Sequence, residues 1–201
     1  MRKLAVDVVV IGGGSTGAGV VRDVAMRGYS TVLLERADLG QGTTGRFHGL
    51  LHSGGRYVVS DPLSATECAQ ENAILSRIQA SAIETTGGYF VTGPDDDPAF
   101  ADKFLEGAKA TGVPAHEISV AEALRNEPRL NPRILRAIEV EDGSVDGWQL
   151  VWGAANSAKA YGAEILTYHR VTKIDTADGK VTAVHATDLK SGEDVVIDCS
   201  F

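Results

Sequence analysis

Three glycines near the start of the sequence have the spacing of a loop that binds phosphate groups. Gly12, Gly14 and Gly17 follow an apolar run and precede a segment whose apolar residues have helical spacing. In such a loop the first glycine allows a positive φ, the second lets the backbone approach a pyrophosphate, and the third lets the helix pack closely. The N–H groups of residues 15–17 would then point at negative charge, together with the helix dipole. The pattern predicts a bound dinucleotide.

One acidic residue marks the other end of the predicted site. Glu35 ends the second apolar run, about 20 positions after Gly14, which is the separation expected for an acid that binds ribose hydroxyls. A carboxylate at this position disfavours a ribose 2′-phosphate, although Arg36 is adjacent. The glycine pattern is shared by proteins that bind NAD and FAD, and it does not by itself discriminate between them.

A strand–helix–strand unit is needed to position these residues. We predict one buried strand over residues 4–11, a helix over 15–27 that ends at Gly28, and a second strand over 31–35. Such a unit has a right-handed crossover in nearly all proteins.

A second glycine-rich segment, residues 36–57, follows where an NAD-type domain would normally continue with another strand and helix. Structureless segments of this length are usually functional or disordered, and Phe47 and Tyr57 argue against disorder. A segment of this kind can run along an extended cofactor and reach its redox ring. It therefore favours FAD over NAD.

The remaining chain alternates helices and strands. We expect Asp61 to cap a helix that extends to residue 83, Ser119 to cap a short helix, and Asp146 to cap a helix that ends at Tyr161. Four strands at the C-terminus, with turns at Asp178-Gly179 and 191–192, predict a β-meander. The other predicted elements are strands over 88–92 and 135–140 and a helix over 99–110; the four C-terminal strands span 164–168, 170–175, 181–188 and 194–198.

Composition excludes several classes of protein. The 201 residues are 43% hydrophobic and carry a net charge of −8 without a basic cluster, which argues against a nucleic-acid-binding surface. Cys68 and Cys199 are far apart and predict neither a disulfide framework nor a zinc site, so no metal is expected. Asp7 interrupts the N-terminal apolar run, which is far shorter than the roughly 20 residues of a membrane span. We expect a cytoplasmic protein.

The motifs resemble those of a known family. The segments "DVVVIGGGSTGAGVV", "TTGRFHGLLHSGGRY", "GYFVT", "NPRILRAIEVEDGSVD" and "YGAEILTYHRVTKI" are similar to FAD-dependent glycerol-3-phosphate dehydrogenases, members of the D-amino-acid-oxidase-like flavoprotein superfamily. The second segment resembles the anaerobic type, in which this region belongs to the large subunit of a three-subunit enzyme. The resemblance covers essentially the whole chain.

The resemblance implies a role for each matching residue in binding FAD. One group would hold the pyrophosphate, Glu35 would bind the adenosine ribose with Arg36 beside it, and Val171 would meet the adenine through its backbone. The pyrophosphate group comprises Gly12, Gly14, Ser15, Thr16 and Gly17. The residues on the flavin side are Thr43, Thr44, Arg46, His52, Ser53 and Gly54.

The resemblance also places Arg56 and Tyr57 at the substrate, because a guanidinium fork suits a phosphate group. Alternatives remain open for these side chains: Arg56 could brace the loop through a salt bridge, and His48 and His52 could order the loop through hydrogen bonds. A covalent bond between flavin and a histidine of this region is a less favoured alternative. The catalytic base is expected beyond residue 201, since members of the family are considerably longer.

The expected fold is α/β: a Rossmann-like, glutathione-reductase-like FAD-binding domain interrupted by part of an α+β cap domain. We divide the chain into residues 1–85 (FAD-binding unit, flavin loop and long helix), 86–145 (partial cap) and 146–201 (return to the FAD-binding domain, with its closing strand missing).

The implied reaction is oxidation of sn-glycerol 3-phosphate to dihydroxyacetone phosphate, with electrons passing to a quinone through partner subunits. The protein would then lie at the inner face of the cell membrane. Alternatives are another amine or 2-hydroxy-acid oxidoreductase of the superfamily, or a non-catalytic nucleotide-binding fragment.

Overall fold

The computed structural model describes residues 1–201, which form two compact units. The first unit comprises residues 1–48 and 146–201, and the second unit comprises residues 49–145. The sequence-based division placed its first boundary after residue 85, whereas the structure places it after residue 48. The difference arises because the long helix that starts at residue 62 packs against another helix of the second unit.

The chain contains five α-helices and thirteen strands. The helices are α1 (Ser15–Met26), α2 (Pro62–Ile78), α3 (Phe100–Thr111), α4 (Val120–Asn126) and α5 (Gly147–Ala160). The strands are β1 (Arg2–Ala5), β2 (Val8–Ile11), β3 (Thr31–Glu35), β4 (Leu50–Leu51), β5 (Ile83–Glu84), β6 (Gly88–Thr92), β7 (Ala115–Ile118), β8 (Arg136–Val140), β9 (Gly143–Val145), β10 (Glu164–Thr167), β11 (His169–Ala177), β12 (Lys180–Asp188) and β13 (Asp194–Asp198). No helix is both long and apolar enough to cross a membrane.

A parallel sheet in the order β10-β3-β2 is the centre of the first unit. Helices α1 and α5 pack on each other and bury a core that includes Val21, Leu33 and Val151. Helix α1 ends as predicted, because Gly28 follows it with a φ of 88°. The sheet and its helices form the strand–loop–helix–strand unit that the glycine pattern required.

The single strand predicted over residues 4–11 is wrong. The structure has two strands, β1 and β2, which belong to different sheets. The chain changes partner at Asp7: the N–H of Val6 still bonds to Asp198, whereas the N–H of Asp7 bonds to the Ser30 carbonyl. The Asp7 carboxylate accepts further hydrogen bonds from the N–H and hydroxyl of Ser30, which stabilises the change.

The C-terminal meander contains three of the four predicted strands. Strands β11, β12 and β13 pair antiparallel, and β1 pairs parallel with β13. Asp178 and Gly179 have φ values of 51° and 74°, which is the two-residue turn that the Asp-Gly pair predicts. The remaining strand, β10, pairs parallel with β3, because helix α5 returns the chain to the edge of that sheet.

The second unit is built from two small antiparallel sheets and helices α2–α4. The sheets have the orders β6-β8-β7 and β4-β9-β5. The Asp61 carboxylate caps α2 by accepting from the Ser64 N–H at 3.2 Å, as predicted, but the helix ends at Ile78 rather than at residue 83. A 3₁₀ turn and strand β5 occupy the intervening residues. The α/β fold class is confirmed.

Candidate functional site

The glycine loop lines a cavity of about 480 Å³ in the first unit. The sequence-predicted pyrophosphate residues and both predicted flavin-side threonines lie together on its wall. Phe47, Gly147 and Leu150 also line it, although no sequence motif assigns them to a site. The residues lining the cavity are Ile11, Gly12, Gly14, Ser15, Thr16, Gly17, Thr43, Thr44, Phe47, Gly147 and Leu150.

The backbone of the loop requires its glycines. Gly12 has a φ of 105°, and its N–H donates to the Leu34 carbonyl at 2.8 Å. A Cβ on Gly17 would overlap the carbonyl oxygen of Gly12, and a Cβ on Gly14 would lie 3.1 Å from the Thr44 hydroxyl. The positive φ and the close approach of helix to strand are those that the sequence predicts for the first and third glycines.

The N-terminus of α1 faces this cavity with few internal partners. Gly14 occupies the N-cap and supplies no side-chain hydrogen bond, and the first turn carries no acidic residue. The first hydrogen bond within the helix runs from the Ala18 N–H to the Gly14 carbonyl, so the N–H groups of Thr16 and Gly17 have no carbonyl partner in the helix. The Ser15 N–H, also predicted to bind phosphate, donates to the Thr44 hydroxyl at 3.0 Å. An uncompensated helix N-terminus beside a side-chain-free loop fits a pyrophosphate.

Glu35 connects the glycine loop to the segment that follows β3. One carboxylate oxygen accepts the Gly13 N–H at 2.8 Å, and the other accepts the Ala37 N–H at 2.8 Å. Each carboxylate oxygen has a second lone pair that a ribose hydroxyl can use. Gly13 was left unassigned by the motif, yet a Cβ there would lie 2.5 Å from Leu39 Cδ2. A side chain at the middle position of the "GGG" run would therefore require the buried Leu39 side chain to shift.

We expect Glu35→Gln to weaken FAD binding by about tenfold, equivalent to about 1.4 kcal/mol. An amide keeps the shape but places an NH₂ group against one of two backbone N–H donors, which leaves that donor unsatisfied. A fluorescence titration of apoprotein with FAD measures the change. Glu164→Gln, which alters an exposed ion pair with Arg2, is the matched control; equal affinities of the two variants would contradict the bracing role of Glu35.

The remaining predicted cofactor residues of the first unit lie on three segments. Arg36 is exposed and directly follows β3, and Thr43, Thr44 and Arg46 form a 3₁₀ turn. Val171 lies in β11 opposite Ala186, immediately before a β-bulge.

Tyr168 connects two of these segments and was not predicted to do so. Its N–H donates to the Ala37 carbonyl at 3.0 Å, and its own carbonyl accepts the Leu189 N–H at 2.7 Å. Its φ of 60° is unusual for a residue other than glycine. The segment after Glu35 is thereby tied to the meander that carries Val171.

The predicted flavin-side residues of the second unit surround a carboxylate that the sequence pattern predicts only as part of a turn. Asp142 is 8% exposed. Its Oδ1 accepts hydrogen bonds from the Ser53 N–H and hydroxyl, both at 2.7 Å, and its Oδ2 lies 2.9 Å from His52 Nδ1. Burial by itself would raise the pKa of Asp142, but the hydrogen bonds from Ser53 and His52 outweigh it and lower the pKa. Asp142 therefore holds His52 and Ser53 through hydrogen bonds on both of its oxygens.

Two glycines fix the next turn of the same segment. Gly54 has a φ of 101°, and Gly55 packs so closely on Phe90 that a Cβ would lie 2.9 Å from its ring. The 3₁₀ turn Gly55–Tyr57 then presents Arg56 and Tyr57 at the surface of the unit. The ion pairs of this unit join His52 to Asp142, His116 to Glu139, and Arg136 to two carboxylates. Arg56 takes part in none of them, which argues against the bracing alternative.

These features together define a dinucleotide-binding α/β protein. Residues 7–200 match the family model DAO, described as FAD dependent oxidoreductase, and the chain therefore belongs to that family of FAD-dependent enzymes. The predicted cofactor class, FAD, is confirmed.

Two similar curated proteins have more specific descriptions than the family model. The chain is 49% identical over 185 residues to the A1 chain of anaerobic glycerol-3-phosphate dehydrogenase of Haloferax volcanii, and the match covers 92% of this chain and 32% of the relative. It is 44% identical over 187 residues to the corresponding chain of anaerobic glycerol-3-phosphate dehydrogenase of Escherichia coli strain K12, covering 93% and 34%. Both relatives are described as subunits. The chain thus spans about a third of the length of these curated relatives.

A solved structure supports the fold. L-proline dehydrogenase from P. horikoshii aligns with a TM-score of 0.85 and 22% identity, over 100% of this chain and 52% of that chain. At this identity the likeness concerns the fold alone.

Proposed function

We propose that this chain is the FAD-binding part of a glycerol-3-phosphate dehydrogenase of the anaerobic type, which oxidises sn-glycerol 3-phosphate to dihydroxyacetone phosphate. The observation that carries the proposal is the identity of 44–49% over more than nine-tenths of the chain with two subunits of such enzymes. FAD, when bound, supplies the acceptor for the hydride that leaves C2 of the substrate. The protein supplies binding and orientation.

Cofactor binding uses the first unit. Gly12, Gly14 and Gly17 would hold the pyrophosphate, and the N–H groups of Thr16 and Gly17, with Ser15 beside them, would donate hydrogen bonds to it. Glu35 binds the adenosine ribose beside Arg36, and the Val171 backbone meets the adenine. Support comes from the cavity these loop residues line and from the absence of an acid in the first turn of α1. Thr43, Thr44 and Arg46 of the same unit contribute on the flavin side.

Substrate binding uses the second unit, which contains the turn that carries Arg56 and Tyr57 as well as the predicted partial cap, residues 86–145. Arg56 is exposed and forms no ion pair, so its planar guanidinium is able to bind a phosphate through two parallel hydrogen bonds. Tyr57 belongs to the same 3₁₀ turn and offers a hydroxyl to the same ligand. The buried residues Gly54 and Gly55 fix the backbone of the turn that carries both side chains.

Electron transfer to a quinone through partner subunits completes the proposal. It would place the protein on the cytoplasmic side of the cell membrane, in contact with that membrane through its partners. The support is that both similar dehydrogenase chains are themselves subunits of larger enzymes.

We expect the full-length protein to reduce an artificial electron-accepting dye with glycerol 3-phosphate as the donor. In Arg56→Lys the KM for glycerol 3-phosphate should rise by about tenfold or more with a smaller change in kcat, because the variant retains charge but loses the guanidinium fork. Arg77→Lys, in the last turn of α2, is the matched control. Activity with sarcosine or 2-hydroxyglutarate but none with glycerol 3-phosphate would overturn the proposal.

A further inference from the structure

Three glycines outside the dinucleotide motif lie where the segment after β3 contacts helix α5. Gly40 and Gly45 belong to that segment, and Gly147 is the first residue of the helix. All three lie in the first unit, as does the cavity lined by the glycine loop. Their contacts show how the turn Thr43–Arg46, which carries three of the predicted flavin-side residues, is held in place.

Gly147 lets this turn lie directly on the start of α5. A Cβ on Gly147 would lie 3.1 Å from the Thr44 carbonyl oxygen and 2.8 Å from Phe47 Cε1. The Thr44 hydroxyl accepts the Ser15 N–H at 3.0 Å, so the turn also contacts the start of α1. Ser15, Thr44 and Gly147 all line the cavity. The turn therefore joins the first residues of two helices at the wall of the candidate FAD site.

The indole of Trp148 packs against the backbone of the same segment. Its ring atoms lie 3.4 Å from a Cβ placed on Gly40 and 3.5 Å from one placed on Gly45, so the ring lies close to the bare backbone of both glycines. The Gly40 N–H in turn donates to the Gly13 carbonyl at 2.8 Å. The indole thus covers two glycines, one of which is hydrogen-bonded to the glycine loop.

The cap of α5 fixes the position of Trp148. The Asp146 carboxylate accepts the N–H groups of Trp148 and Gln149 at 2.9 and 3.1 Å. By contrast, the turn Thr43–Arg46 is a single 3₁₀ turn without a side-chain cap. Such a short turn has poor hydrogen-bond geometry and little stability of its own, so packing against its neighbours must hold it.

We propose that Trp148 is a positioning residue that holds the turn Thr43–Arg46 in its FAD-binding conformation before the cofactor binds. A preformed turn spares FAD the free-energy cost of ordering this segment. The inference deepens the proposed function and rests on it in one respect, namely that the turn contacts FAD. The order of the turn in the apoprotein does not depend on that contact.

Limited proteolysis of the full-length apoprotein with trypsin tests this order directly, because Arg46 is an exposed tryptic site within the turn. In Trp148→Ala we expect cleavage after Arg46 to be faster by about tenfold or more, since cleavage follows the population of the locally opened segment. Trp148→Phe keeps an aromatic ring over the glycines and should stay close to wild type. Mass spectrometry of the fragments identifies the cleaved bond. Equal rates in wild type and Trp148→Ala would overturn the inference.

Trp152→Ala is the matched control. Trp152 lies one turn further along α5, is 40% exposed, and has the Lys159 ammonium 6.0 Å from its ring. This variant should show wild-type cleavage after Arg46. If Trp148→Ala does not fold, the wild-type apoprotein still decides. Cleavage after Arg46 as fast as in a synthetic peptide of residues 40–52 would show that the turn is not preformed.

FAD binding to the same full-length variants gives a second measurement. In Trp148→Ala we expect affinity to fall by about tenfold, mainly through slower association, because the segment must then be ordered during binding. Trp148→Phe should restore most of the association rate, which stopped-flow flavin fluorescence measures. Unchanged association in a folded Trp148→Ala would overturn the positioning role. If glycerol 3-phosphate is not oxidised but Trp148 protects Arg46 and speeds FAD binding, the proposed function fails while the positioning role stands.

Discussion

Gly17→Ala is expected to lose FAD binding, with affinity reduced by on the order of a hundredfold or more, about 2.7 kcal/mol. A Cβ at this position would overlap the carbonyl oxygen of Gly12. That oxygen belongs to the turn between β2 and α1, so it cannot move without displacing the helix from the strand. The N–H groups at the start of α1 would then no longer converge on one pyrophosphate. Loss of stability of about 3 kcal/mol should accompany the change, as in other overpacked sites.

Gly19→Ala is the matched control for this prediction. Gly19 lies two residues further along the same helix, and a Cβ there would meet no atom within 4 Å. Replacing a helical glycine with alanine stabilises a helix by roughly 0.5–1 kcal/mol, so this variant should bind FAD normally and unfold at slightly higher denaturant concentration. FAD titration and denaturant unfolding measure both variants. Wild-type affinity in Gly17→Ala would contradict the loop's assignment to the pyrophosphate.

Gly54→Ala is expected to destabilise the second unit by about 3 kcal/mol and to abolish the proposed dehydrogenase activity of the full-length protein. Two effects combine. The φ of 101° is unfavourable for alanine, and the Cβ would lie 2.5 Å from the Ala65 carbonyl oxygen and 3.1 Å from Val113 Cγ2. Relief of the clash must shift the neighbouring residue, Ser53, and with it the hydrogen bonds to Asp142.

The conformational and steric contributions are separated by Gly49→Ala in the same unit. Gly49 has a φ of 79°, but a Cβ there would meet no atom within 4 Å. This variant should lose only about 1 kcal/mol, the cost of a left-handed conformation for a residue with a Cβ. Denaturant unfolding of the two variants measures the difference. Equal losses would show that the contact with Ala65 does not matter.

Local signals in the sequence predict much of the first unit. The glycine pattern predicted both the positive φ at Gly12 and the close approach at Gly17, because those requirements are encoded by the absence of a side chain. Helix limits were equally local: Gly28 ends α1, and Asp146 begins α5 by accepting from the N–H groups of Trp148 and Gln149. Such features depend on residues a few positions apart.

Strand partners could not be predicted in the same way. Residues 4–11 form one apolar run because β1 and β2 are both packed in sheets. Only Asp7 indicates where the chain changes from one strand partner to another. Strand β10 has a composition compatible with either sheet, and its parallel pairing with β3 depends on where α5 returns the chain. Pairing of this kind involves residues far apart in sequence, for which hydrophobic periodicity carries no information.

The residues of the candidate site also fall into two groups, those that a local sequence pattern predicts and those that depend on strand pairing. Residues of the glycine loop were found because their spacing has a direct geometrical meaning. Asp142 was missed because its partner, His52, reaches it only through the register of β4 with β9. A buried carboxylate has no distinctive sequence pattern, and the sequence "EDG" is equally typical of an exposed turn. The substrate is likewise not a property of the fold, since an L-proline dehydrogenase shares this fold at 22% identity.

The central claim is that the glycine loop holds FAD within an enzyme that oxidises glycerol 3-phosphate. The most direct test is anaerobic mixing of the purified full-length protein with glycerol 3-phosphate while the visible absorbance of the flavin is recorded. We predict one FAD per chain and complete bleaching by glycerol 3-phosphate, with no bleaching by L-proline or 2-hydroxyglutarate. A protein that takes up no flavin, or whose flavin is bleached by an amine or a 2-hydroxy acid but not by glycerol 3-phosphate, would contradict the account.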